Sequence, residues 1–169
     1  MDKSRSGEND KTARCYHCSA TFRYHFFHAG FGDEHVFYCD RCGMVATIDW
    51  YTEQYALFYE KFISPNGYDS WKPGELEKFE RDIQAMKAAI TQHLKPCSCG
   101  GRFSVDATPR CPSCKRQLEW NRFLDQMDTD SRTPHYFRDS VKKGWRGNYY
   151  FVFDDRVVRN PWEKLGRAK

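Results

Sequence analysis

Apolar and polar positions along the chain fall into two periods. Phe22-Arg-Tyr-His-Phe-Phe-His28 places Phe22, Tyr24, Phe26 and His28 on one side of a strand and Arg23, His25 and Phe27 on the other. After the glycine-bearing Ala29–Asp33 comes a second run, Glu34–Tyr38, and then a third, Gly43–Asp49, so the first two predict a hairpin and the third a further strand. From Glu53 the period lengthens. Tyr55, Phe58, Tyr59 and Phe62 recur at helical spacing until Ser64-Pro65-Asn66-Gly67 ends the run. Leu76, Phe79, Ile83, Met86, Ile90 and then His93 or Leu94 mark one apolar face of a longer helix, from Pro73 to about Lys95. With too few heptads for a sustained coiled-coil seam, that face is expected to pack inside the molecule. Beyond it, Arg102–Asp106 predicts a strand, Lys115–Met127 a short helix, and the runs Gly147–Phe153 and Arg156–Arg159 a C-terminal β-hairpin.

The cysteines change this picture most. All eight lie in four tight pairs: Cys15/Cys18, Cys39/Cys42, Cys97/Cys99 and Cys111/Cys114. Two residues between cysteines let a turn aim both sulfurs at one ion, and such spacing points to metal rather than to disulfides in a reducing compartment. A thioredoxin-like use of one pair needs a following helix, whereas Gly43–Asp49 reads as a strand. Cys97-Ser-Cys99 is one residue shorter than the usual motif, which Gly100 and Gly101 offset by permitting a tight turn. The stretch from Cys15 to Cys42, a hairpin with a cysteine knuckle at each end, resembles a zinc ribbon. Two structural Zn²⁺ ions per chain are expected, one on Cys15, Cys18, Cys39 and Cys42 and one on Cys97, Cys99, Cys111 and Cys114, since pairing neighbouring motifs closes the shortest loops. A sharper alternative substitutes His17, His25, His28 or His35 for a thiolate and leaves a coordination position open.

The expected fold is therefore α+β: two zinc ribbons with a long amphipathic helix between them, short helices and a C-terminal β-hairpin. Residues 1–13 form a disordered tail, 14–50 the first ribbon, 51–95 a helical region, 96–127 the second ribbon and short helix, and 128–169 a loop and hairpin, all in one compact unit. The apolar-poor start and the absence of a long apolar run predict a cytoplasmic protein.

Charge and motifs bound the function. The net charge is +4, with residues 1–94 at −3 and residues 95–169 at +7, so the second half is electropositive. The zinc-deaminase signature, HExxH, a P-loop and GxSxG are all missing, and four thiolates leave a zinc no open position, so no catalytic residue is assigned and the protein is read as no enzyme. Asp154 and Asp155 are read as turn residues. The expected function is a zinc-stabilised protein-binding module, by analogy a small bacterial-type adaptor or an inhibitor such as an immunity protein. Its partner-binding residues are expected among Trp145, Tyr149, Tyr150 and Trp162 as aromatic anchors, with Arg102, Arg116, Lys142 and Lys143 as charged neighbours. The alternative is a nucleic-acid-binding zinc-ribbon protein, for which aromatic rings interleaved with basic side chains would serve as the footprint.

Overall fold

Two short hairpins, each turning around a Cys-x-x-Cys pair, set the strand order. The structure, a computed structural model, describes residues 11–28, 34–69, 71–119, 122, 149–152 and 156–163, and for residues 11, 25–28 and 149–152 the backbone alone. Strand β1 (Lys11–Arg14) runs antiparallel to β2 (Thr21–His28), with Arg14 opposite Thr21 and the Cys15 knuckle as the turn. Strand β3 (Glu34–Cys39) likewise runs antiparallel to β4 (Val45–Asp49), with Tyr38 opposite Val45 and the Cys39 knuckle as the turn.

This corrects the expected hairpin of residues 22–28 with 34–38. Strands β2 and β3 lie in different sheets, of order β1-β2-β6 and β5-β3-β4-β7, where β5 is Phe103–Ser104, β6 Tyr149–Val152 and β7 Val157–Arg159. The knuckle wins because it brings its own backbone bonds: the Cys15 N–H donates to the Ala20 carbonyl and the Cys39 N–H to the Met44 carbonyl, both at 2.9 Å. Pairing then propagates from a turn that is already closed.

The expected C-terminal hairpin also gives way. Strand β6 runs antiparallel to β2, while β7 lies parallel to β4 with Val45 opposite Val157. The reason is in β4: Val45, Ala46, Thr47 and Ile48 are all buried, so the strand is covered on both faces and its free edge takes a partner. One face of that sheet, through Phe37, Ala46 and Ile48, joins Tyr55, Ile63, Met86 and Ile90 in the main core; the other joins Val36, Tyr38 and Val45 with Ala107 and Val157.

Helix α1 (Glu53–Phe62) covers the expected residues, started by Thr52, whose Oγ1 accepts from the Tyr55 N–H at 3.3 Å. Helix α2 (Glu75–Thr91) is shorter than the expected 73–95. It buries Met86 and Ile90, with Phe79 and Ile83 half-buried against the same core, whereas Leu76 is 58% exposed and leaves the stripe. Past Thr91 the chain turns. Leu94 then makes a bridge with Trp162, the Lys95 N–H donates to the Pro161 carbonyl at 2.7 Å, and the Glu163 N–H to the His93 carbonyl at 2.8 Å. Trp162, expected to be an exposed anchor, is instead 8% exposed in the core and stacked on Phe58 at 5.9 Å. The short helix expected from Lys115 does not begin there: residues 115–119 are not helical, Gln117 is bridged to Arg110 and Lys115 has a left-handed φ of 63°, and most of 120–127 lies outside the described residues. Among the described residues no helix is long and apolar enough to cross a membrane.

Candidate metal centres

The eight cysteines gather into two groups, but not the two that the shortest loops predict. Cys15, Cys18, Cys111 and Cys114 form one, and Cys39, Cys42, Cys97 and Cys99 the other; in each, all sulfurs lie within 4.8 Å of one another. In sequence the second group is nested inside the first, so they are called here the inner and outer quartets. The Sγ–Sγ separations are 3.8 Å for Cys15–Cys114 and Cys18–Cys111, 3.5 Å for Cys39–Cys99 and 3.6 Å for Cys42–Cys97. A tetrahedron of bonds ~2.3 Å long has edges of about 3.8 Å, so these separations would let the four sulfurs of each group share one ion. They are far beyond the ~2.05 Å of a disulfide, and all eight cysteines are free.

Local backbone explains how each knuckle aims its sulfurs. In the outer quartet the two turns are alike: the Ser19 N–H donates to the Cys15 carbonyl and the Lys115 N–H to the Cys111 carbonyl, at 2.9 and 3.0 Å. Both closing residues are left-handed, Ser19 at φ 60° and Lys115 at φ 63°. The first cysteine donates its N–H five residues on, from Cys15 to Ala20 and from Cys111 to Arg116, as Cys39 does to Met44. At Cys97 the motif is one residue shorter and so is the bond, which runs from the Cys97 N–H to the Gly101 carbonyl at 2.9 Å with Gly100 at φ +80°. Backbone N–H groups also face the sulfurs, His17 to Cys15, Arg41 to Cys39 and Met44 to Cys42, each at 3.4 Å.

Strand pairing decides which knuckles meet. Cys39 lies opposite Phe103 and Tyr38 opposite Ser104, so β5 carries the Cys97 turn onto the Cys39 turn. The Asp40 N–H donates to the Arg102 carbonyl, and Asp40 Oδ1 accepts from the Arg102 N–H, both at 2.9 Å. The approach is so close that a Cβ on Gly101 would stand 2.7 Å from the Cys39 sulfur and 2.6 Å from Asp40 Oδ1. Only glycine fits there.

The thiols within each group differ in how readily they ionise. Burial pushes the Cys39 and Cys42 thiols up, and Cys111 to about 12, while the Ala20 N–H and neighbouring thiols bring Cys18 down to about 7. At Cys99 burial is outweighed by the Gly101 N–H and the neighbouring sulfurs, which also lower it to about 7. A bound divalent cation would hold its coordinating thiols deprotonated. Cysteines alone make up the two groups among the described residues. His35, one of the histidine alternatives, is buried in the core with its Nε2 3.3 Å from the Tyr55 hydroxyl, and His17 contributes its backbone N–H to Cys15.

The expected partner-binding residues scatter. Arg102 and Arg116 are exposed beside the inner and outer quartets, Tyr149 and Tyr150 lie in β6, where they pair with His28 and Phe27, and Trp145, Lys142 and Lys143 lie outside the described residues. Two strongly exposed aromatics lie elsewhere in the fold. Trp71, in the turn before α2, is 93% exposed, and Tyr51, ahead of α1, is 80% exposed. Their signal was composition alone: each sits in a polar connection outside any apolar period.

A family model described as a domain of unknown function (DUF8255) matches residues 11–119, from the start of β1 to just past the second outer knuckle. No curated protein and no solved structure matches the chain.

Proposed function

The chain belongs to the domain-of-unknown-function family DUF8255, and from the two quartets inside the matched span we propose that it is a non-enzymatic, zinc-stabilised binding module whose partner is another protein. The observation that carries the metal half is the set of 3.5–3.8 Å sulfur separations. An all-thiolate tetrahedron suits redox-inert Zn²⁺, fills its coordination sphere and leaves no position for water or substrate. The ion's work is then mechanical. Apparent zinc binding of ~10–16 kcal/mol in finger peptides is comparable with the whole stability of a domain, so each ion can hold two distant turns together.

Trp71 and Tyr51 support the partner half, because large rings this exposed do nothing for the core and are of the kind that anchor protein interfaces. A second reading, nucleic acid, draws on the exposed Arg14, Arg41, Arg102 and Arg116 beside the knuckles. One experiment separates them. The full-length zinc protein captures its partner from native lysate before and after nuclease treatment, alongside a Trp71→Ala variant. Capture that survives nuclease and falls at least ~30-fold in the variant, as loss of an anchor worth about 2 kcal/mol requires, is the expected result. Tight binding to random oligonucleotides at ~0.15 M salt would overturn it in favour of nucleic acid.

A further inference from the structure

The two quartets are not equivalent, and the difference lies in what holds them besides metal. Three inner cysteines, Cys39, Cys42 and Cys97, belong to the main hydrophobic core, and β3–β5 pairing fastens their two turns together. No outer cysteine belongs to that core cluster, although Cys15 and Cys111 are fully buried; Cys18 is exposed and Cys114 half-buried. Among the described residues no strand pairing joins the Cys15 turn to the Cys111 turn. One contact between their flanks is made by Tyr16, whose hydroxyl donates to the Arg122 carbonyl at 2.9 Å and whose ring lies 5.3 Å beneath the Arg122 guanidinium. Yet this quartet spans the larger separation, 93 residues from Cys18 to Cys111 and 99 from Cys15 to Cys114.

We propose that the outer quartet is a modification site for small hydroperoxides, a clasp that releases its metal on oxidation at Cys18 while the inner quartet keeps its own. The proposal rests on the reading that both quartets hold zinc. Cys18 is the exposed cysteine of the outer quartet, the one open to a peroxide from solvent. Its thiolate displaces hydroxide from the peroxide O–O bond and becomes a sulfenic acid. Cys111, 3.8 Å away, then attacks that sulfur, a second hydroxide leaves, and a disulfide forms. A second peroxide oxidises Cys15 and Cys114, also 3.8 Å apart, in the same way. In sum, four thiolates on one zinc, two hydrogen peroxides and four protons give two disulfides, one free Zn²⁺ and four waters. The inner quartet also exposes one sulfur, that of Cys99, but its turns stay fastened by the core and β5 when one ligand is attacked.

Stepwise addition of hydrogen peroxide to the full-length protein, followed by native mass spectrometry and by mapping of the remaining thiols, tests this. Two zinc ions before oxidation, then a one-zinc species in which Cys18 is oxidised while Cys39, Cys42 and Cys97 stay reduced, is the expected course. Tyr16→Ala, which leaves every ligand in place, should lose the first zinc at lower peroxide. Simultaneous loss of both ions, or a one-zinc species oxidised at Cys99 with Cys18 intact, would overturn the proposal and leave the zinc reading standing. A fresh protein carrying no zinc would instead sink that reading and the proposal with it.

Discussion

Gly101 and His35 show how closely single residues are constrained. At Gly101 the space that a Cβ needs is already filled by Cys39 Sγ and Asp40 Oδ1, and the Arg41 Cβ stands at 3.0 Å. Gly101→Ala should therefore cost about 1–3 kcal/mol through overpacking and loosen the inner ion, read as a lower unfolding midpoint and easier loss of one zinc to a chelator. Gly67→Ala is the control: nothing lies within 4 Å of its Cβ, but its φ of +52° leaves a strain of about 1 kcal/mol and no effect on metal. His35 is buried, and that burial, with Lys87 nearby, lowers its pKa to about 3. Because the unfolded chain takes up a proton near pH 6.5 and the folded one does not, this residue's contribution to stability is full above that pH. It is lost progressively as pH falls toward 3. Imidazole NMR shifts of the zinc-loaded protein should show His35 still neutral at pH 5; titration near 6.5 would place it in solvent.

At the scale of elements, α1 was legible, α2 in part, and the strand partners were not. A period of three and four in Tyr55, Phe58 and Phe62 has one structural solution, and α1 occupies those residues. In α2 the same logic holds from Phe79 onward and fails at Leu76, because the core ends before the helix does. Met86→Ala should then cost about 2–5 kcal/mol in chemical denaturation, and Leu76→Ala no more than about 0.5. Equal effects would mean that the stripe is buried along its whole length. Strands carry no such address. Residues 22–28 and 34–38 look like mutual partners across a glycine-bearing turn, but the six-residue cysteine turns impose nearer ones. Likewise the apolar run Val157–Val158 shows that a strand exists without saying that β4's free edge will take it.

For the whole molecule, the gathering of the eight cysteines into groups of four could be read from spacing, whereas their partition could not. Loop entropy was the wrong arbiter. Joining Cys15 to Cys114 rather than to Cys42 lengthens the closed loop by about two doublings, roughly 1.2 kcal/mol, which is small beside ~10–16 kcal/mol of metal binding. The pairing of Cys39 with Phe103 across β3 and β5 decides instead, and that is a long-range contact which no spacing encodes. On the proposed zinc reading, the nested partition would make the ions staples for the fold from residue 15 to residue 114, so stripping zinc should unfold the chain. Far-UV circular dichroism and the thermal midpoint should both fall, and an unchanged spectrum after verified stripping would contradict the structural role. The partition itself is open to direct observation in the intact protein loaded with two ¹¹³Cd²⁺ ions, since scalar couplings connect each cadmium to the Hβ protons of its own cysteines. One resonance should correlate with Cys15, Cys18, Cys111 and Cys114 and the other with Cys39, Cys42, Cys97 and Cys99; a resonance correlating with Cys15, Cys18, Cys39 and Cys42 would contradict the nested architecture.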